Sequence, residues 1–287
     1  MGDGVFRQGV GRLRQMRPSR IRSEAGRVVQ LALVGVDHED QEGLARVFVP
    51  DGIGAAERTR AWSRIQVCSD PDEGPAGVGG AIVVHSRAAA LRWGRLGGED
   101  RHVVDAARPD AGLVALLRAH REQRLALART FPGLRPALAR ELIRAAAERN
   151  AAFAALSALP DVIPTPLSVL LAFGEMGSDM VVLTANQVDL AFRLAAMSGA
   201  DVSWRAQSRA IAAVVAGGFG WRALARELVG LVPAGVGLAA KASIAYSGTA
   251  AMGAVLWRLP QPGQRRARVE ASSTTRTARL ARGQQTA

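Results

Sequence analysis

The sequence predicts an α+β protein, mostly α: a small degenerate α/β (P-loop-like) N-terminal domain followed by an apolar helical bundle. Two observations carry this. The run Val28-Val29-Gln30-Leu31-Ala32-Leu33-Val34-Gly35 is almost wholly apolar and closes on glycine, the pattern of a strand buried on both faces. From Ala158 to Trp257 charge is sparse and apolar residues recur at helical spacing. The expected organisation is a basic arm over 1–27, the α/β domain over 28–108, the helical domain over 109–258 and a disordered basic tail over 259–287.

In chain order, the arm holds seven arginines against Asp3 and Glu24, and any helix in it is expected to break at Pro18. After the first strand, Asp40 to Phe48 reads as a helix, and strand, glycine turn, helix is how nucleotide-binding folds open. The turn contradicts that use. A phosphate loop needs glycines for close backbone approach, a lysine on the phosphates and a Ser or Thr on magnesium. Here Gly35-Val36-Asp37-His38-Glu39-Asp40-Gln41-Glu42-Gly43-Leu44 has neither lysine nor hydroxyl, and four carboxylates occupy the space of the phosphates. No nucleotide or other cofactor is expected. Asp37, His38, Glu39 and Asp40 are contiguous, so their side chains diverge, and the alternating ligands of a calcium loop are missing. The reading is an exposed acidic loop and no metal site.

Pro50 to Gly80 is rich in Gly, Pro, Asp and Ser and reads as a long loop. Gly80 to His85 is expected to be a second buried strand and His102 to Asp105 a third. His85, His102 and His120 have no ligand spacing and are expected to be structural or solvated. Helix follows from Ala111, with Leu113, Leu116 and Leu117 inward, is interrupted at Pro132, and resumes from about Leu134 to Ala158. Pro160, Pro164 and Pro166 mark a turn into the apolar half.

There, Ser178 to Gly199 reads as a helix capped by the Ser178 hydroxyl and ended at Gly199. Asp179, Asn186, Asp189 and Arg193 fall on one narrow face, which Glu175 joins if the helix extends back. Gly217, Gly218 and Gly220 suggest a helical corner rather than a phosphate loop, since no Lys-Ser or Lys-Thr follows. In Pro233 to Trp257, Gly235, Ala239, Ser243, Ser247 and Ala251 recur every four residues and predict a groove for a neighbouring helix. Lys241, the only lysine of the chain, sits within this segment and needs a partner or a route to water. Glu175, Asp179, Asn186, Gln187 and Lys241 are therefore the candidate structural polar seam, and no residue is singled out as catalytic. Lys241 interrupts every long uncharged run, yet snorkelling would rescue it, so a membrane span is expected ahead of a soluble core or surface association.

Leu183-Thr184-Ala185-Asn186-Gln187, Leu194-Ala195-Ala196 with Gly199, Gly217-Gly218-Phe219-Gly220-Trp221, Leu231-Val232-Pro233, and Lys241-Ala242-Ser243-Ile244-Ala245-Tyr246 with Gly253 together resemble the YcjF-type uncharacterised family. That family includes a helical domain of unknown function often fused to small bacterial GTPases. The resemblance covers roughly 130–257. It implies a membrane-associated or GTPase-linked helical domain with no established activity, and supplies no catalytic residues.

The chain has 287 residues and a net charge of +12, and outside Lys241 every Lys/Arg cation is arginine. Seven arginines against Glu270 in Arg258–Ala287 make the second end basic as well. Basic ends attract anionic surfaces. Beside an apolar half, a lipid bilayer or anionic membrane surface is the expected partner ahead of nucleic acid. Cys68 stands alone, so no internal disulfide is expected. The N-terminus lacks the apolar region of a secretory signal. Positive flanks would keep both termini cytoplasmic. No Ser-His-Asp order, Cys-His pairing or metal-ligand spacing argues for an enzyme. The expected function is thus a non-catalytic membrane-associated accessory or scaffold protein at the cytoplasmic face, with a cytoplasmic placement as runner-up. Alternatives are an interaction module for a GTPase encoded elsewhere, with the degenerate domain as a dimerisation partner (self-association), or non-specific nucleic-acid binding through the arginine-rich termini.

Overall fold

The computed structural model describes residues 18–68, 80–94, 101–157, 166–217 and 237–259, without the side chains of 156–181 and 237–238. The protein is mostly helical, with a small parallel sheet. Among the described residues it divides into two compact units: Arg22–Leu138 with Ala196–Ala200, and Ala139–Ala195 with Asp201–Leu259 and residues 18–21. The helices over 110–138 therefore cluster with the sheet, and the division falls at 138 where the sequence reading drew it near 108. The arm over 1–17, the tail over 260–287, the corner at 218–220 and the turn at Pro160 and Pro164 lie outside the described residues.

In the sheet unit, β1 (Leu31–Val34) is buried at all four positions, and it is central, pairing in parallel with β2 (Ile65–Cys68) on one side and β3 (Ile82–Ser86) on the other. β4 (Arg101–Val104) pairs in parallel with β3, giving the order β2-β1-β3-β4. This is the order of doubly wound sheets, in which winding reverses between β1 and β3. Leu31 and Leu33 face one way, while Ala32 and Val34 face the other and meet Cys68 and Ala89.

Pro18 opens helix α1 (Pro18–Ala25) rather than breaking one, since its missing N–H costs nothing at the first helical position. α2 (His38–Phe48) follows β1 and buries Leu44, Ala45 and Phe48. The expected long loop over 50–80 is corrected. It contains α3 (Ala55–Trp62) and strand β2, which hide from a periodicity reading because α3 buries only Ala61 and β2 is an edge strand carrying Gln66 and an exposed Val67. β3 leads into α4 (Arg87–Trp93), and β4 into α5 (Asp110–Ala119) and α6 (Arg124–Thr130). A 3-10 turn, Pro132–Leu134, passes so close to α2 that a Cβ on Gly133 would lie 1.8 Å from the Val47 carbonyl oxygen.

Arg135, the first residue of α7 (Arg135–Ser157), is buried and spends its guanidinium inside the sheet unit. Nε donates to the carbonyls of Ala128 at 3.1 Å and Met197 at 2.9 Å, while an Nη donates to Arg129 O at 3.2 Å and to the Glu57 carboxylate. One side chain thus satisfies carbonyl groups at two helix ends, which have no partners within their own helices.

The helical unit comprises α7 beyond Leu138, α8 (Pro166–Met197) up to Ala195, α9 over 208–217 and α10 (Gly237–Arg258). Ser178 lies in the interior of α8, which begins twelve residues earlier at Pro166, so Ser178 is not its cap. Gly199 does follow the end of α8 and has φ +75°, the left-handed conformation that glycine adopts freely. Phe192 meets Trp204 edge-on with centroids 5.0 Å apart. α10 approaches α7 at Gly253, where a Cβ would stand 2.7 Å from Ile143 Cγ2.

Two expectations for α10 are corrected. Ala239, Ser243, Ser247 and Ala251 are exposed, and the helix buries Thr249, Gly253 and Leu256 instead. A strict four-residue repeat drifts about 40° per step around a helix of 3.6 residues per turn, so it follows no one neighbour for long. Among the described residues no helix is long and apolar enough to cross a membrane. This corrects the expected transmembrane helix and the membrane character argued from it. More than half of α10 is Ala, Gly, Ser and Thr, with Lys241 among them, and α8 carries Glu175, Asp179, Asp189 and Arg193 along its 32 residues.

Candidate functional site

In a doubly wound sheet, ligands bind beyond the carboxyl ends of the strands, where winding reverses. Here that place is bounded by the turn Gly35-Val36-Asp37 after β1 and by His85 and Ser86 at the end of β3. Three side chains build it. Asp37 is the N-cap of α2 in extended conformation, its carboxylate accepting from Asp40 N at 2.9 Å. Asp40, in the first turn, reaches back across the turn and accepts from Val36 N at 2.9 Å. The same Asp40 oxygen accepts from the Ser86 hydroxyl, and Ser86 Oγ in turn accepts from Ala89 N at 2.9 Å as the N-cap of α4.

Gly35 is required for this closure. A Cβ there would lie 2.7 Å from Gln41 Cγ and 3.0 Å from the Asp40 carboxylate. Gln41 Nε2 lies 3.4 Å from Gly35 O and 3.5 Å from Cys68 O, long contacts that draw the ends of β1 and β2 together. The turn is thus built like an anion cradle, with a backbone N–H, a hydroxyl and a helix N-terminus converging. Its anion is the chain's own Asp40. A phosphate brought within about 4 Å of that carboxylate would meet repulsion of about 4 kcal/mol per pair of unit charges at an effective dielectric near 20.

The expected acidic loop is exposed at Asp37, Glu39 and Glu42, and only Asp40 is half-buried. Glu39 is exposed and Glu42 pairs with Arg46 at 2.6 Å, whereas Asp37 and Asp40 are structural acceptors. Among the described residues, no three His, Cys, Asp or Glu side chains are grouped as metal ligands would be.

His85 stands beside Ser86 but faces the other side of the sheet, in register with Val34 and so in the row that ends in Cys68. It is 2% exposed, and neither ring nitrogen has a hydrogen-bond partner. Burial, and secondarily the charge of Arg101, pushes its pKa below the ordinary histidine value. The imidazole is held neutral against an apolar face.

Two residues of the expected polar seam, Asn186 and Gln187, take part in a buried chain of side-chain contacts in the helical unit. Asn186 Nδ2 donates to Asn150 Oδ1 at 2.7 Å, and Asn150 Nδ2 donates to Thr249 Oγ1 at 2.8 Å. Gln187 Nε2 lies 3.4 Å from the same hydroxyl. Asn186 and Gln187 are thus brought together, with Asn150 and Thr249 as their buried partners on α7 and α10. Asp189 and Arg193 pair along α8 at 2.7 Å. The side chains of Glu175 and Asp179 lie outside the described residues, and Lys241 is half-buried in the early turns of α10.

No protein-family model matches the chain, and neither does any curated protein or solved structure.

Proposed function

We propose that the chain is a non-catalytic accessory protein: an α/β unit of nucleotide-hydrolase type that has given up its nucleotide, joined to a helical unit, and working as an interaction module for a GTPase encoded elsewhere. The observation that carries this reading is the seat of Asp40. Its carboxylate takes the Val36 N–H and the Ser86 hydroxyl, the donors that an exogenous phosphate would need. The parallel order β2-β1-β3-β4 supports descent of the unit from a P-loop-like sheet, and the lack of a lysine in the turn supports the loss of nucleotide. The likeness of 130–257 to a helical domain often fused to GTPases supports the choice of partner.

The test has two arms. Fluorescent GTP and ATP analogues with magnesium should show no saturable binding to the full chain up to about 1 mM, an affinity worth only about 4 kcal/mol. Cross-linking in lysate loaded with either GDP or a non-hydrolysable GTP analogue should recover a GTPase in one nucleotide state and not the other. Tight, magnesium-dependent uptake of nucleotide by the chain itself would overturn the proposal.

A further inference from the structure

His102, on β4, and His120, the residue that ends α5, are 18 positions apart in sequence, yet their Nε2 atoms lie 2.9 Å apart. The rings meet edge-on, with centroids 5.0 Å apart and planes at 74°. Two imidazoles on one tetrahedral zinc would hold their nitrogens about 3.3 Å apart. The observed spacing is that of an N–H···N hydrogen bond. β4 and α5 pack together within the sheet unit, and the His120 N–H also closes the last turn of α5 on Leu116 O at 3.1 Å.

A hydrogen bond between two imidazoles depends on how many protons the pair holds. When both rings are neutral, one Nε2 carries the hydrogen and the other offers its lone pair. After one proton is taken from water, the imidazolium still donates to its neutral neighbour. When a second is taken up, each Nε2 carries a hydrogen, no lone pair is left, and two cations face each other. We propose that His102 and His120 form a proton-counting joint between β4 and the C-terminal end of α5, closed while the pair holds at most one extra proton and opened by the second.

The charged groups on the surrounding elements set where this happens. Arg118 on α5, Arg121 in the following turn and Arg124 on α6 are the cations on the elements that carry and follow His120, while Arg101 lies on the opposite face of β4 from His102. Against them stand Asp110 at the start of α5, Glu122 (engaged by Arg27 at 3.5 Å) and Asp105 (engaged by Arg87 at 3.0 Å). His85 on β3 faces the opposite side of the sheet from His102, as the alternation along β3 and its register with β4 require.

The test uses the full chain and its four histidines, followed by NMR of the ring C–H groups from pH 8 to 5, alongside amide-exchange protection over 116–120. The expected result is two separated protonation steps shared by His102 and His120, with protection of the α5 end falling about tenfold or more across the second step only. His120→Gln supplies both a donor and an acceptor, so it should keep that protection at both ends of the range. Overturning results would be a wild-type end that stays protected to pH 5, two histidines titrating together in one step, or a folded Gln variant that loses protection as the wild type does. If the variant does not fold, the wild-type titration decides alone.

Discussion

Asn150 donates to the Thr249 hydroxyl at 2.8 Å across 99 positions of sequence, and both residues are buried. With Asn186 on the other side of Asn150, this ties α7, α8 and α10 through side-chain groups that have little water to fall back on. Asn150→Ala would leave the Thr249 hydroxyl and the Asn186 amide each short of a partner, at about 1–3 kcal/mol per orphaned group. Chemical denaturation should show a loss of about 2–4 kcal/mol. A double-mutant cycle with Thr249→Ala should give a coupling above about 0.5 kcal/mol. Additive losses would contradict the geometry.

Arg135 serves helix ends rather than the solvent. Arg135→Met removes donors from the Ala128, Arg129 and Met197 carbonyls and leaves Glu57 without its cation. Since the Glu57 side chain is 28% exposed, the loss should fall below that of a fully buried pair, at about 2–3 kcal/mol. Glu57→Gln keeps an acceptor and should cost about 1 kcal/mol or less. Thermal melts of the two variants should rank in that order.

β1, β3 and the edge strand β4 are legible in the sequence, and the other edge strand, β2, is not. β1 is central and every one of its residues is buried, so it stands out as an unbroken apolar run. β2 pairs along one edge only and exposes Val67, so its Ile-Gln-Val-Cys gives no run and vanished into a predicted loop. The seam was half visible. Asn186 and Gln187 stand out on an apolar helix, while Thr249 looks like any small residue until the register of α10 against α7 places it. Like-charge repulsion in the acidic turn was legible too. That Asp40 folds back onto Val36 and Ser86 was not, because Ser86 is 46 positions away and only the sheet brings it near.

His85 links stability to pH with a definite sign. Its pKa is lowered in the folded chain, so as pH falls below about 6.5 the unfolded chain binds a proton before the folded one does. Stability should therefore be level above that point, decline with acid below it, and level off again once the folded pKa is passed. His85→Leu removes this contribution and should flatten the corresponding part of the profile, read from denaturation midpoints between pH 8 and 5. A slope of the same size in the variant would contradict the assignment.

Two glycines should separate cleanly. Gly133→Ala drives a Cβ into the Val47 carbonyl and should cost more than about 2 kcal/mol, with the melting temperature reporting the loss. Gly54, the N-cap of α3, has nothing within 4 Å and an ordinary extended backbone. Gly54→Ser should leave stability unchanged or raise it by a few tenths of a kcal/mol through a side-chain cap. Equal effects at the two positions would mean that the turn at Pro132–Leu134 does not press on α2.

The carboxylate that closes the β1–α2 turn is tethered only four residues from the amide it serves. A tethered competitor does not dilute: its local concentration is set by chain geometry and not by the cell. Any diffusing oxyanion must outbid an occupant that never leaves, so raising its level in solution would do little to evict Asp40. A substitution that shortens or neutralises that one side chain is the direct way to reopen the cradle.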